Sequence, residues 1–140
     1  MKKDEMIRFS ESIIQFYEKL FSWEQAVAKN TGLSPQQNHT IDIVGSAGPI
    51  RMKPLAEKLS ITTGTLTVMI DRLEKSGYVR RRKDPEDGRG FNIVLTEKGR
   101  LVHEEHHAYH LKLAEDILSH LDTGEVHLFS QMLTKINEGM

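Results

Sequence analysis

Residues Leu55–Gly90 read LAEKLSITTGTLTVMIDRLEKSGYVRRRKDPEDGRG, and the middle of this stretch, Thr62–Lys75, decides the fold. In TTGTLTVMIDRLEK the residues Leu66, Met69, Ile70 and Leu73 recur at i, i+3, i+4 and i+7, so one helical face is apolar. The opposite face carries Thr65, Thr67, Val68, Asp71, Arg72 and Lys75, which are short or charged. Such a helix is buried along one side and offered to something narrow on the other. Upstream, Lys53–Leu59 (KPLAEKL) places Leu55, Ala56 and Leu59 at the same spacing, with only Ser60-Ile61 between the two helices. Two short helices joined this tightly predict a helix-turn-helix, whose second helix enters the DNA major groove. The residues offered to DNA are then Thr62, Thr63, Thr65, Thr67, Val68 and Arg72.

Outward from the second helix, Tyr78–Lys83 (YVRRRK) predicts a short strand. Asp84–Gly90 (DPEDGRG) predicts a turn and Phe91–Leu95 (FNIVL) a returning strand. A basic hairpin after a recognition helix is a wing. Arg89 at its tip is placed for the minor groove or a phosphate, and Arg80 and Arg82 for further phosphates. Strand alternation puts Arg81 on the opposite face. An ordinary helical pair followed by a surface hairpin is the plainer alternative, but it leaves the order of three separate signals unexplained.

These residues, with Leu95–Gly99 (LTEKG) after them and Leu33–Gln37 (LSPQQ) before, resemble the MarR family of bacterial transcription regulators. The wing signature Asp-x-x-Asp-x-Arg stands as Asp84, Asp87 and Arg89. The resemblance implies a mainly α fold with a small β-hairpin wing, a winged helix-turn-helix joined to a long helical dimerisation region.

At 140 residues the chain is long enough for one domain with a modest core. It has no cysteine, which excludes disulfides and thiolate metal sites. No apolar run approaches a membrane span, and the N-terminus has no signal-peptide core, so a cytoplasmic protein without membrane attachment is expected. The net charge of −1 is unevenly spread. Residues 51–100 hold 12 Lys/Arg against 7 Asp/Glu, net +5, which leaves −6 for the remainder. A basic DNA-facing lobe, residues 50–95, on an acidic remainder fits that asymmetry.

Residues from Asp4 to about Lys29 predict one long helix. Its Ile13, Tyr17, Leu20, Glu24 and Val27 follow a 4-3-4-3 seam in which Glu24 replaces a hydrophobe. That carboxylate either meets a cation, a metal or good donors, or reaches solvent at a ragged seam end. Ser34, Pro35 and Gln37 open a second helix that is expected to end at Gly45. Thr96 caps another from about Glu97 to His120, and after a break at Asp122-Thr123-Gly124 a last one covers Glu125–Glu138. The terminal helices, residues 1–32 and 97–140, carry apolar stripes that the small lobe cannot bury. They predict a two-fold homodimer on a palindromic double-stranded site.

Four of the 7 histidines lie in VHEEHHAYH: His103, His106, His107 and His110. At i, i+3, i+4 and i+7 they share one helical strip, and both His106/His110 and His103/His107 have the i,i+4 spacing of a metal-binding pair. His39 and Asp42 open the second helix and are further candidate donors. The zinc-responsive members of the resembled family, the AdcR and ZitR type, use a glutamate late in the first helix, a histidine early in the second and an i,i+4 histidine pair in the fifth. The resemblance therefore implies Glu24, His39, His106 and His110 as the Zn2+ ligands, with Asp42, His103 and His107 as the less favoured donors. A structural or pH-sensing stripe is the alternative for the histidines.

The sequence is compatible with three functions. The leading one is a dimeric DNA-binding transcription regulator, a repressor with zinc as co-repressor. The second is a repressor of the same fold released from DNA by a small phenolic or other organic ligand. A zinc hydrolase comes last, because the chain has no convincing HExxH, nucleophile or substrate loop; no enzyme is expected.

Overall fold

The paired helices read from Leu55–Lys75 sit at the centre of the computed structural model, which describes residues 1–140. The element order is α1 (Lys3–Thr31), α2 (Pro35–Ala47), β1 (Ile50–Arg51), α3 (Met52–Leu59), α4 (Thr63–Lys75), β2 (Val79–Lys83), β3 (Phe91–Leu95), α5 (Glu97–Leu118) and α6 (Thr123–Gly139). The architecture is a winged helix-turn-helix among long helices, as the sequence predicts. Residues Met1–His106 and His107–Met140 form two compact units.

In the first unit α3 and α4 are joined through Ser60, whose left-handed backbone (φ 54°) ends α3. Thr62 then caps α4 by accepting a hydrogen bond from the Thr65 amide at 3.1 Å. Leu66, Met69, Ile70 and Leu73 are buried, the four positions picked out by periodicity. They meet Leu55 and Ala56 of α3, Ile41 and Val44 of α2, and Val79 and Ile93 of the sheet in one core. Each fully buried Leu or Ile contributes about 1.5–3 kcal/mol relative to an exposed one.

The sheet is antiparallel in the order β1-β3-β2. β2 and β3 pair from Val79↔Leu95 to Lys83↔Phe91 and form the expected wing. The third strand, β1, was not expected. It pairs Ile50 with Ile93 and Arg51 with Asn92, and two residues are too few to show a period.

Helix α2 corrects another expectation. It opens as predicted, with the Ser34 hydroxyl accepting from the Gln37 amide and Gln37 reciprocating. It does not end at Gly45; it runs to Ala47 and is closed by Gly48 (φ 72°). Gly45 is inside α2 because the His103 ring lies against it: a Cβ there would fall 2.5 Å from the ring.

In the second unit, α5 continues to Leu118 and α6 starts at Thr123, two residues before the expected start. Asp122 accepts from the Glu125 amide and caps the helix, whereas the sequence reading took it as part of a break. No residue of α6 is buried, and Leu128, Met132, Leu133 and Ile136 stand open. The expected seam of α1 is likewise uncovered within the chain. Val27 is buried, but Ile13 and Tyr17 are 50% and 61% exposed.

Candidate nucleic-acid interface and histidine cluster

Burial of one face of α4 leaves Thr62, Thr63, Thr65, Thr67, Val68 and Arg72 exposed together. Val68 is 53% exposed, a branched apolar side chain kept in solvent on an otherwise polar face. The Thr67 hydroxyl donates to the Thr63 carbonyl at 2.8 Å, which leaves its methyl outward. A surface of hydroxyls, methyls and one guanidinium can read base edges by hydrogen bonds and by contact with thymine methyls.

The wing is positioned by Arg51 of β1, a residue that no sequence motif marks. Its guanidinium donates to Asp84 at 2.7 Å and lies 3.5 Å from Asp87. Thus the two acids of the wing signature are occupied in holding the turn. The Asp84 carboxyl is held below its ordinary value of 3.8, first by the Arg51 hydrogen bond and then by the Glu86 amide. Arg51 is raised in turn, first by its hydrogen bond to Asp84 and then by the charges of Asp84 and Asp87. A Cβ on Gly90 would lie 1.8 Å from the Arg51 guanidinium, so any larger residue there pushes that flexible side chain aside. The third residue of the signature, Arg89, is exposed at the tip.

The three consecutive arginines of β2 divide by face. Arg81 donates to Asp71 at 2.6 Å and to Glu74 at 2.8 Å, both on α4, and is raised chiefly by the Asp71 hydrogen bond. Arg80 and Arg82, read from sequence as phosphate contacts, point to the face of the sheet away from α4.

The second cluster is built on Asp42 of α2. Its carboxylate meets Nδ1 of His103 at 3.1 Å and Nδ1 of His106 in a short contact. His106 is 7% exposed, and its ring centre lies 6.4 Å from that of Trp23. A carboxylate on Nδ1 selects the tautomer with its lone pair on Nε2, the arrangement that orients histidine for a metal. His110 follows one turn along α5 and is exposed. His107 is exposed as well.

Two implied ligands are not brought to this cluster. Glu24 and His39 are exposed, and the carboxylate that meets the histidines is Asp42. The sequence did hold a sign of this, because Gly45 lies one turn beyond Asp42 on the same face and makes room for His103.

The family model described as "MarR family" matches residues 33–91, from the start of α2 to the start of β3. The chain is thus similar to the MarR family over residues 33–91. The chain is 41% identical over 85 residues to the uncharacterised HTH-type transcriptional regulator YcgE of Bacillus subtilis, a match covering 58% of this chain and 55% of that protein. It is also similar to the B. subtilis organic hydroperoxide resistance transcriptional regulator, 40% over 55 residues, covering 39% of this chain and 37% of that one. The chain spans about half the length, or less, of the curated relatives it matches.

Likeness to solved structures extends beyond the MarR segment. Streptococcus pneumoniae FabT, solved in complex with DNA, superposes with a TM-score of 0.88 at 26% identity, covering 95% of each chain. The reduced form of MarR from E. coli gives 0.75 at 26% identity over 91% of this chain and 94% of that one. The winged helix fold is the MarR fold.

Proposed function

We propose that this chain is a MarR-type transcription regulator that binds palindromic double-stranded DNA as a homodimer. One observation carries the reading: the exposed Thr65, Thr67, Val68 and Arg72 face of α4 stands beside a wing that Arg51 holds through Asp84. FabT, the similar structure solved on DNA, supports it. The apolar faces of α1 and α6 are the surfaces a second copy would cover. The test is an electrophoretic shift against genomic fragments upstream of the chain's own gene. Binding that survives Arg72→Ala and Arg89→Ala together would remove this reading.

The finer reading is metal control, with zinc as co-repressor in the manner of the AdcR and ZitR type. Its support is the Asp42 carboxylate against His106 and His103, with His110 one turn further on. Nitrogen and oxygen donors of this kind suit Zn2+, and Asp42 is the carboxylate that stands beside these histidines, where the resemblance implied Glu24. A metal tying α2 to α5 would fix the recognition lobe against the dimerisation helices and raise operator affinity.

The single tryptophan, Trp23, lies beside His106 and reports on the site directly. Untagged protein titrated with zinc should show a saturable change in its fluorescence, reversed by chelator. Asp42→Ala and His106→Ala should abolish that change, and Glu24→Ala should retain it. Should zinc leave both fluorescence and operator binding unmoved, release by a small organic ligand becomes the better account.

A further inference from the structure

The exposed side of α4 begins with β-branched residues. Thr62, Thr63, Thr65, Thr67 and Val68 all stand in solvent, and Gly64 is the single exception among the exposed positions of this run. Where packing does not decide, alanine and straight-chain residues form helix better, so this composition costs helix stability. What it supplies is a set of methyl groups fixed at χ1, which lose little freedom on contact. The hydroxyls are partly spent on the chain itself. Thr62 donates to the Thr65 hydroxyl oxygen at 3.0 Å, and Thr67 donates to the Thr63 carbonyl at 2.8 Å. Val68 has no hydroxyl and stays open to solvent.

Val68 lines a groove with Thr65 and Arg72 of its own helix and with Gln36 and Gln37 of α2. Most of that lining is polar, and Val68 with the buried Met69 makes its apolar part. Such a groove fits a small apolar projection from an otherwise polar surface. Among the base edges of the major groove only thymine carries one, its 5-methyl group. Charged alternatives on this face are few, because Asp71 is held by Arg81. We propose that α4 identifies its half-site by thymine methyl groups, with Val68 and the Thr67 methyl seated against the 5-methyls of neighbouring thymines. The inference rests on the DNA-binding reading above and names the feature of the duplex that is read. Uracil or cytosine at those positions is rejected for want of the methyl.

The test uses the full chain and two duplexes of one sequence, the fragment upstream of the chain's own gene. One is amplified with thymidine triphosphate and the other with deoxyuridine triphosphate, so they differ only in the methyls. The uracil duplex should bind at least about tenfold more weakly, since one lost methyl contact is about fourfold and a dimer loses one or more in each half-site. The slope of log K against log salt should be the same for both, because the phosphates are unchanged. Val68→Ala removes the methyls while installing a better helix former, and Thr67→Ser removes one methyl while keeping the hydroxyl. Both variants should bind the thymine duplex more weakly and show a smaller thymine-to-uracil ratio. Equal wild-type affinity for the two duplexes overturns the inference and leaves the DNA-binding reading standing. The full ratio kept in Val68→Ala does the same, as does a salt slope that changes with uracil, which would place the effect in the DNA backbone. No shift with either duplex removes the DNA-binding reading, and this inference with it.

Discussion

At the scale of single residues, Arg51 shows how a wing can be held without a core beneath it. Its guanidinium occupies Asp84 and approaches Asp87, and the short arm of Gly90 lets it through. Arg51→Ala should therefore loosen the turn that presents Arg89 and lower operator affinity about two- to fivefold, the range for one exposed ion pair, with little change in unfolding temperature. Gly90→Ala should copy the effect by displacing the guanidinium. The pH dependence has a definite sign. Asp84 is lowered from 3.8 in the folded chain, so its contribution is complete above that value and is lost as pH falls through the lowered one. Amide exchange in residues 84–90 should be insensitive to this group between pH 5 and 8, as set by that ordinary carboxylate value, and should accelerate at lower pH. In Asp84→Asn that acid-induced step should be missing. Acceleration beginning near neutral pH would assign the wing's order to some other group.

At the scale of elements, packing accounts for both what the sequence revealed and what it concealed. α4 was legible because its period and its burial coincide: Leu66, Met69, Ile70 and Leu73 are core, and Leu66→Ala should cost about 2–5 kcal/mol in denaturant unfolding. Asp42 was underrated because its partners lie 61 and 64 residues away, a distance that no local period reports. Gly45 misled for a related reason. Glycine inside a helix reads as a stop, yet here it makes room for a ring from α5. Gly99 is the same device at the start of α5. Thr96 caps that helix by accepting from the Gly99 amide at 3.1 Å while its hydroxyl donates to the Gly77 and Tyr78 carbonyls. A Cβ on Gly99 would lie 2.0 Å from the Tyr78 carbonyl oxygen, a backbone atom with no rotamer to yield. Gly99→Ala should thus destabilise the fold by about 1–3 kcal/mol, as overpacking does. Gly88→Ala, whose Cβ would meet only the far end of Lys83 at 3.5 Å, should be close to neutral. Equal melting temperatures for the two variants would refute the close approach of α5 to the Tyr78 carbonyl.

At the scale of the whole molecule, the described chain leaves an unusual amount of apolar side chain in water. On α1 the exposed residues include Phe9, Ile13, Ile14 and Tyr17; on α6 they include Leu128, Met132, Leu133 and Ile136. Scattered single hydrophobes are ordinary on a monomer, but successive turns of two helices are not. A second copy would cover such faces by symmetry, and two recognition helices at a fixed spacing are what a palindrome requires. Mass action makes the idea quantitative. If folding and association are coupled, unfolding temperature must rise with protein concentration, and sedimentation must give about twice the 16.0 kDa of one chain. Ile13→Glu with Leu133→Glu, which place charge on both faces without touching the lobe, should give monomers that bind the full operator much more weakly, since each half-site is then engaged alone. The charge distribution sharpens the expectation. With residues 51–100 at +5 and the remainder at −6, the salt dependence of binding belongs to the lobe, and a dimer presents two lobes to the phosphates. The slope of log K against log salt should therefore fall by about half in the monomeric variant. A monomeric variant that keeps the wild-type slope and operator affinity would show that the open faces of α1 and α6 serve something other than self-association.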